Sequence, residues 1–258
     1  MKNGEIVSNI QLKDSYYKVD FHAPELCEKA LAGQFAHVKI SNIPNKVLRR
    51  PFSISNVDKN GRLTIIYKVV GAGTEVLSTL RPGDVCDVMG PLGNPFTEPV
   101  KSEIPVIIAG GYGAAATYLI AKNSPVPGVL LLGARSSKDL ILVEEFRQLG
   151  FEVKVSTEDG SDGHKGRVTE LLEELLSGNT ANMKFYACGP HGMLMAAGKI
   201  ILAHGLDGEL SLDHLMCCGV GACFACVVKV KADNGDGWRY ARTCKEGPVF
   251  KASQVYYD

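Results

Sequence analysis

The stretch IPVIIAGGYGAAATYLIA, Ile104 to Ala121, decides how the chain is read. It opens with an apolar run of strand length, breaks at Gly110, Gly111 and Gly113, and continues in small helix-forming residues. A strand, a glycine turn and a helix in that order begin an α/β unit. Its backbone amides and helix N-terminus can face a phosphate or nucleotide. The glycines do not complete the G-x-G-x-x-G fingerprint, so alone they are a modest signal.

Downstream the same rhythm continues. GVLLLGAR, FEVKVST and MKFYACGP read as apolar strands, and VEEFRQLG, VTELLEELLSG and HGMLMAAGKIILAHG as helices. This alternation predicts a parallel sheet with crossovers and a ligand site at the carboxyl ends of its strands. YACGPHGML puts Cys188, Gly189 and Pro190 at such an end. A cleft shared with Gly110, Gly111 and Gly113 is therefore expected, although Cys188 also reads as a buried thiol.

Upstream the pattern differs. EIVSNIQL, YYKVDFH, FAHVKISNI, RPFSISNV, RLTIIYKVV and VCDVMGP are short β-rich runs split by Gly, Pro, Asn and Asp. They predict an antiparallel barrel or sandwich with one helical insertion near TEVLSTLRPGD. Here Arg50 can pair with a pyrophosphate, Phe52 can lie on a flat ring, and Ser53 can hydrogen-bond a ring edge. Gly71 and Gly73 permit close backbone approach, and the Thr74 hydroxyl and amide can bind phosphate. A plain strand with an exposed arginine and a plain glycine turn explain these residues equally well.

The end of the chain is different again. MCCGVGACFACVV holds four cysteines within ten residues, and RTCKEGPVF adds Cys244. Cys218, Cys223 and Cys226 have the C-x4-C-x2-C spacing of a plant-type 2Fe-2S site, and Cys244 follows after 17 intervening residues. Three thiolates converging from one tight loop need small neighbours, which Gly219, Gly221, Ala222 and Ala225 supply, with amides that can point at the sulfurs. A zinc site of four cysteines is the competing metal, although such sites usually pair their ligands in short couples; a metal-free loop is the third reading. Cys217 can compete as a ligand, but its side chain is expected to point away from that of Cys218 and to be a buried thiol. His214 reads as a surface or core histidine. VVKVKADNGDGWRYART reads as a hairpin, whose Trp238 either meets a partner or covers the cluster.

Bulk properties narrow the class. A length of 258 residues suggests two or three domains. The 45% hydrophobic and 22% charged content is that of a globular protein, and zero net charge argues against nucleic acid or an anionic membrane as the main partner. No apolar run reaches spanning length, and the opening residues have no signal-peptide core. A cytoplasmic location is expected, where eight cysteines are not structural disulfides.

Arg50-Pro51-Phe52-Ser53, Gly73-Thr74, GPLGNPF, AGGYG, ACGP and the cysteine loop occur in the order of the ferredoxin-NADP reductase superfamily, which the chain resembles over essentially its whole length. CGVGACFAC followed by RTCKEGPVF is especially similar to the electron-transfer subunits of class 1B dihydroorotate dehydrogenases. The resemblance implies an FAD-binding antiparallel β-barrel over 1–100, a parallel-sheet NAD-binding α/β domain over 101–206 and a small 2Fe-2S domain over 207–258. It implies that Arg50, Pro51, Phe52, Ser53, Ile66, Tyr67, Lys68, Gly73 and Thr74 hold FAD. Gly110, Gly111, Gly113, Cys188, Gly189 and Pro190 would form the nicotinamide side, and Cys218, Cys223, Cys226 and Cys244 would ligate the cluster. Phe52 stands where the superfamily often has Tyr, and Ala116 at its usual Pro position.

The implied activity is oxidoreductase electron transfer in pyrimidine biosynthesis. Electrons would pass from the FMN of a separate dihydroorotate dehydrogenase catalytic subunit, through 2Fe-2S and FAD, to NAD+. No residue of this chain is expected to act on dihydroorotate, and two copies of each subunit are implied. Alternatives are a flavin and iron–sulfur reductase subunit serving another partner, a self-sufficient NADH oxidase, and a zinc-stabilised nucleotide-binding module. Glu158, Asp159 and Asp162 in STEDGSDG either select NAD or form a solvated turn.

Overall fold

The computed structural model describes residues 2–40, 48–212, 215–233 and 235–257. The first unit comprises β1 (Lys2–Lys13), β2 (Tyr16–His22), α1 (Pro24–Cys27), β3 (Phe35–Lys39), β4 (Arg50–Ser53), β5 (Asn56–Val57), β6 (Arg62–Lys68), α2 (Ala72–Thr79) and β7 (Val85–Leu92). Its strands pair antiparallel in the order β4-β3-β7-β1-β2-β6-β5. The two ends of that order are neighbours in sequence. Ile54 and Ser55 join β4 to β5, and the Ser55 N–H donates to the Thr64 carbonyl of β6 at 3.0 Å. The sheet thereby closes into a barrel and leaves no long open edge. Ile6, Val19, Phe21, Val38, Leu63, Ile65 and Val88 fill its interior. The expected helical insertion is α2.

The second unit follows the predicted alternation: β8 (Ile104–Gly110), α3 (Gly113–Asn123), β9 (Val129–Ala134), α4 (Val143–Gln148), β10 (Glu152–Thr157), β11 (His164–Lys165), α5 (Val168–Leu176), β12 (Met183–Cys188), α6 (His191–Ala203) and β13 (Gly208–Ser211). After a hairpin of β14 (Val227–Lys231) and β15 (Trp238–Arg242), β16 (Val249–Lys251) returns to the same sheet. The order is β11-β10-β9-β8-β12-β13-β16, parallel except for β16. Val106–Ala109 and Leu130–Leu132 are buried, the continuous apolar pattern of strands covered on both faces. In α3, Ala114, Ala115 and Ala116 are buried; their small size lets the helix sit close to β8 and β12. In α5, Val168, Leu171, Leu172 and Leu176 form a helical stripe on the core.

The final segment is woven into both units. β13 and β16 extend the parallel sheet, and Val230, Ala241, Phe250 and Val255 share a core with Val106 and Phe185. The Asn94 N–H donates to the Gly247 carbonyl at 2.6 Å, and Thr97 donates twice to Glu209. The first two units share apolar packing of Tyr16, Ala32, Ile66 and Phe96 on Ile107, Ala109 and Tyr186. A polar latch lies beside it. Tyr16 donates to Asp139 at 2.9 Å, Lys68 at 2.6 Å, and Lys13 donates to the Ser137 carbonyl at 2.6 Å. Among the described residues no helix is long and apolar enough to cross a membrane. His214, Asn234 of the expected DNGDG turn and Ser41–Ile43 of FAHVKISNI lie outside the described residues.

The latch has a testable pH signature. The Lys68 ammonium holds the Asp139 carboxyl below its usual 3.8; burial opposes this and the Tyr16 hydroxyl assists it. A carboxyl depressed in the folded state contributes stability that is complete above its ordinary value. That contribution is lost as the pH falls through the depressed value. Asp139→Asn is expected to cost about 1 kcal/mol at neutral pH and to flatten the fall in stability below about pH 4. Urea titrations of both proteins across that range check the expectation.

Candidate functional site

A cavity of about 420 Å³ opens where the three regions meet. Arg50, Pro51, Phe52, Ser53, Ile66, Tyr67, Lys68 and Thr74 line its barrel side, together with Gly33, Phe35 and Val70. Tyr112 and Ala115 close it from the parallel-sheet side, and Ser211, Met216 and Pro248 from the final segment. The wall is apolar and aromatic with a few polar groups, the general composition of an organic cofactor site. Phe52 meets Tyr67 edge to face at 5.9 Å, and Tyr67 is anchored by donating to Asn9 at 3.1 Å. Eight of the nine residues expected on the flavin side thus line one cavity.

Gly73 does not line it, and its role is steric. A Cβ there would lie 2.5 Å from Arg50 Nε, so the glycine lets the guanidinium cross the start of α2. The Thr74 hydroxyl donates to the Gly71 carbonyl at 2.9 Å and accepts from the Val70 and Gly71 amides. It caps α2 instead of standing free for a phosphate, which narrows the sequence reading to the helix amides.

Gly110, Gly111, Gly113, Cys188, Gly189 and Pro190 come together at the carboxyl ends of β8 and β12. There the chain turns from building the sheet outward through β9 and β10 to building it the other way through β13. This is a topological switch point, where open α/β sheets place their ligands. Most of these glycines are used by one another. A Cβ on Gly113 would strike the Cys188 carbonyl, one on Gly110 would lie 2.6 Å from Pro190 Cδ, and one on Gly189 2.9 Å from the Gly110 nitrogen. A Cβ on Gly111 would meet only the Tyr16 hydroxyl, at 3.9 Å. None of the six lines the cavity; Tyr112, between them in sequence, does. Glu158 and Asp159 sit at the ends of β9 and β10, where their amides donate to the Ala134 and Arg135 carbonyls at 3.1 Å.

The cysteine loop closes the site. Gly219, Gly221 and Phe224 take positive φ angles of 71°, 82° and 57°, so the backbone turns sharply around the thiols. The Gly221 N–H donates to Cys244 Sγ at 3.1 Å and the Ala222 N–H to Cys218 Sγ at 3.3 Å. Arg242 fixes the loop by donating to the Gly221 carbonyl at 2.8 Å while both sides of its fork bind Glu246 at 3.0 Å. Burial would raise the Cys218 thiol, but the Val220, Cys223 and Ala222 amides and the Cys223 thiol bring it down to about 6. Burial and the Cys226 thiol push Cys244 up to about 12. Cys226 and Cys244 are buried, whereas Cys223 is exposed.

Among the described residues no three His, Cys, Asp or Glu side chains already converge on one ion position. The thiols instead influence their neighbours' protonation, Cys223 acting on Cys218 and Cys226 on Cys244. The donor set nonetheless fits an iron–sulfur group: four soft thiols on one loop and its return strand, two of them already receiving amide hydrogens. Cys217 departs from expectation. It is half-buried instead of buried, and it lies close enough to Cys223 and Cys218 to feel their charge.

Three residues were missing from the sequence reading. Phe35 and Met216 line the cavity and also pack on Cys226 and Cys244, so one contact joins the cavity to the thiols. His37, two residues along β3, is buried with both ring nitrogens unpartnered. Burial, and secondarily Arg49, hold its pKa below the usual 6.5. The only sequence signal was a histidine inside an apolar strand.

Comparison with known proteins gives the same three parts. Residues 5–96 match an oxidoreductase FAD-binding domain, 107–199 an oxidoreductase NAD-binding domain, and 213–256 the iron–sulfur cluster binding domain of dihydroorotate dehydrogenase B. The electron transfer subunit of dihydroorotate dehydrogenase B (NAD+) of Fusobacterium nucleatum is 38% identical, over 97% of this chain and 96% of that protein. Its namesake from Enterococcus faecalis is 39% identical over the same shares. A solved NADH-dependent reduced ferredoxin-NADP oxidoreductase, studied for flavin-based electron bifurcation, superposes with a TM-score of 0.85 at 29% identity, over 98% of this chain and 90% of that one.

The steric reading of the switch-point glycines separates two substitutions. Gly113→Ala is expected to destabilise by roughly 1–3 kcal/mol, because the new methyl meets backbone that cannot yield. Gly192 lies in the first turn of α6 with nothing within 4 Å of a Cβ. Gly192→Ala is therefore expected to be neutral or stabilising by about 0.5–1 kcal/mol. Urea denaturation of both variants checks the pair.

Proposed function

Because the chain belongs to the family of electron transfer subunits of dihydroorotate dehydrogenase B (NAD+), we propose that it carries electrons from the FMN of a catalytic dihydroorotate dehydrogenase subunit to NAD+. The observation that carries this reading is the double contact of Phe35 and Met216, which line the cavity on one side and pack on Cys226 and Cys244 on the other. When bound, a 2Fe-2S cluster exchanges single electrons, and FAD can accept them singly and still exchange a hydride with a nicotinamide.

The chain's own residues supply binding and orientation. Arg50 would pair with the FAD pyrophosphate and Phe52 would lie on its ring system, with Pro51, Ser53, Ile66, Tyr67 and Lys68 along the same wall. Gly73 and the α2 amides at Thr74 would receive phosphate. The backbone at Gly110, Gly111 and Gly113, with Cys188, Gly189 and Pro190 opposite, would present the nicotinamide side. Cys218, Cys223, Cys226 and Cys244 would hold the cluster, and the Gly221 and Ala222 amides would temper its negative charge. On this reading 1–100, 101–206 and 207–258 are the FAD, NAD and cluster regions. The complex would be cytoplasmic, where these thiols stay reduced, with two copies of each subunit.

The catalytic subunit would dock beside the exposed cysteine. Leu215, Val220 and Phe224, on the same cysteine-bearing segment as Cys223, have exposures of 78%, 51% and 61%. Three large apolar side chains left in water beside a ligand thiol suit a partner that brings its own redox group close.

Protein purified without air should contain about two irons and one FAD per chain. Zinc with no iron and no flavin would sink the reading. Cys226→Ser should lose the iron and keep the flavin. Phe224→Asp should leave the visible spectrum unchanged and weaken association with the catalytic subunit at least tenfold, about 1.4 kcal/mol. Sedimentation of mixed subunits reads the last outcome.

A further inference from the structure

His37 is a buried polar group with no structural partner. Its relative exposure is 0%, and neither Nδ1 nor Nε2 makes a hydrogen bond among the described residues. An apolar side chain would fill the same place without leaving two orphan atoms, as the neighbouring Ala36 and Val38 do on the opposite face of the strand. A buried polar atom without a partner calls for an explanation in terms of something it serves.

The surroundings supply one. His37 lies on β3 between β4, which carries Arg50–Ser53, and β7. It shares a strand face with Phe35, whose ring is 6.5 Å away and lines the cavity. The cysteine loop passes directly over the imidazole: a Cβ on Gly219 would lie 2.5 Å from Nδ1. The positive φ of Gly219 and its missing side chain are what permit that approach. The ring also nears the backbone oxygens of Cys218 and Arg49 without reaching hydrogen-bond geometry. One imidazole therefore sits between the strand that precedes the flavin wall and Cys218, the first proposed ligand of the loop.

We infer that His37 is a positioning residue, donating a ring N–H to the Cys218 carbonyl when the loop holds its 2Fe-2S group, and so fixing that group against the flavin-binding barrel. The inference rests on the proposed reading of the loop. A donor fixed beside the ligand backbone adds positive character next to the sulfurs and favours the more negative, reduced form. The role needs an N–H at that point, not merely volume.

The test uses anaerobically purified holoprotein, with His37→Met as a variant of similar bulk without a donor and His37→Gln as one that restores an N–H. Iron and flavin are quantified first, and the cluster is then titrated by electron paramagnetic resonance. His37→Met should lower the cluster midpoint by about 59 mV, a tenfold change for a one-electron couple. Its resonance line shape should change while the FAD midpoint stays put. His37→Gln should return both cluster signals toward the native values. Native midpoint and line shape in His37→Met would overturn the inference, as would equal shifts in both variants. Should His37→Met fail to fold or to take up iron, full iron in His37→Gln supports the donor role and its equal loss overturns it. Native protein without iron or flavin would instead defeat the proposed function, so the two failures are distinguishable.

Discussion

The contact of Phe35 and Met216 with the buried pair Cys226 and Cys244 is the constraint on which the remaining architecture depends. One apolar wall serves two sites, and it works only while water is kept out and the distance across it is held. Holding it requires that the cysteine loop not swing as a tethered lobe. The chain meets that requirement by returning twice to the parallel sheet, through β13 and β16 on either side of the cysteine segment. The Asn94 hydrogen bonds to Gly247 and Glu246 then tie the far end of that segment to the barrel. Within that segment the Arg242–Glu246 clasp adds a further restraint.

The same arrangement divides the cysteines by environment. Cys226 and Cys244 face the dry wall of Phe35 and Met216, while Cys223 is exposed. The electron transfer proposed for this chain needs this asymmetry, one side turned to an internal acceptor and the other to an external donor. With no net charge on the chain, recognition of the proposed partner would rest more on shape and apolar burial than on long-range steering. Arg242, over the Phe224 ring at 4.9 Å, links the outward face to the clasp that shapes the loop.

Local patterns were legible where local physics decides them. The strand, glycine turn and helix at Ile104–Ala121 were readable because periodicity and chain reversal are properties of neighbouring residues. So were the barrel strands and the cysteine spacing. β13 and β16 were not, since GELS and VFK are too short to show a period and form only because β12 offers an open edge. Phe35, His37 and Met216 were invisible for a related reason. Their importance lies in what meets them across roughly 180 residues of chain, and nothing in FAHVK or HLMCC announces that meeting. Thr74 shows the opposite error: a hydroxyl that looked available is consumed by its own helix.

The glycines make the same point in mechanistic form. A glycine-rich strand end invites the inference that a ligand occupies the space of the missing side chains. At Gly113 and Gly189 that space is taken by the neighbouring strand end, so these residues let β8, α3 and β12 converge. Convergence is nevertheless what makes a switch-point site, because it brings the start of α3 and Tyr112 to the rim of the barrel cavity. Gly219 works similarly on the other flank, giving up its side chain so that the loop can rest on His37. The close approach of backbones, more than any single binding side chain, brings the three regions to one cavity, and the latch through Asp139 keeps the first two in that relation.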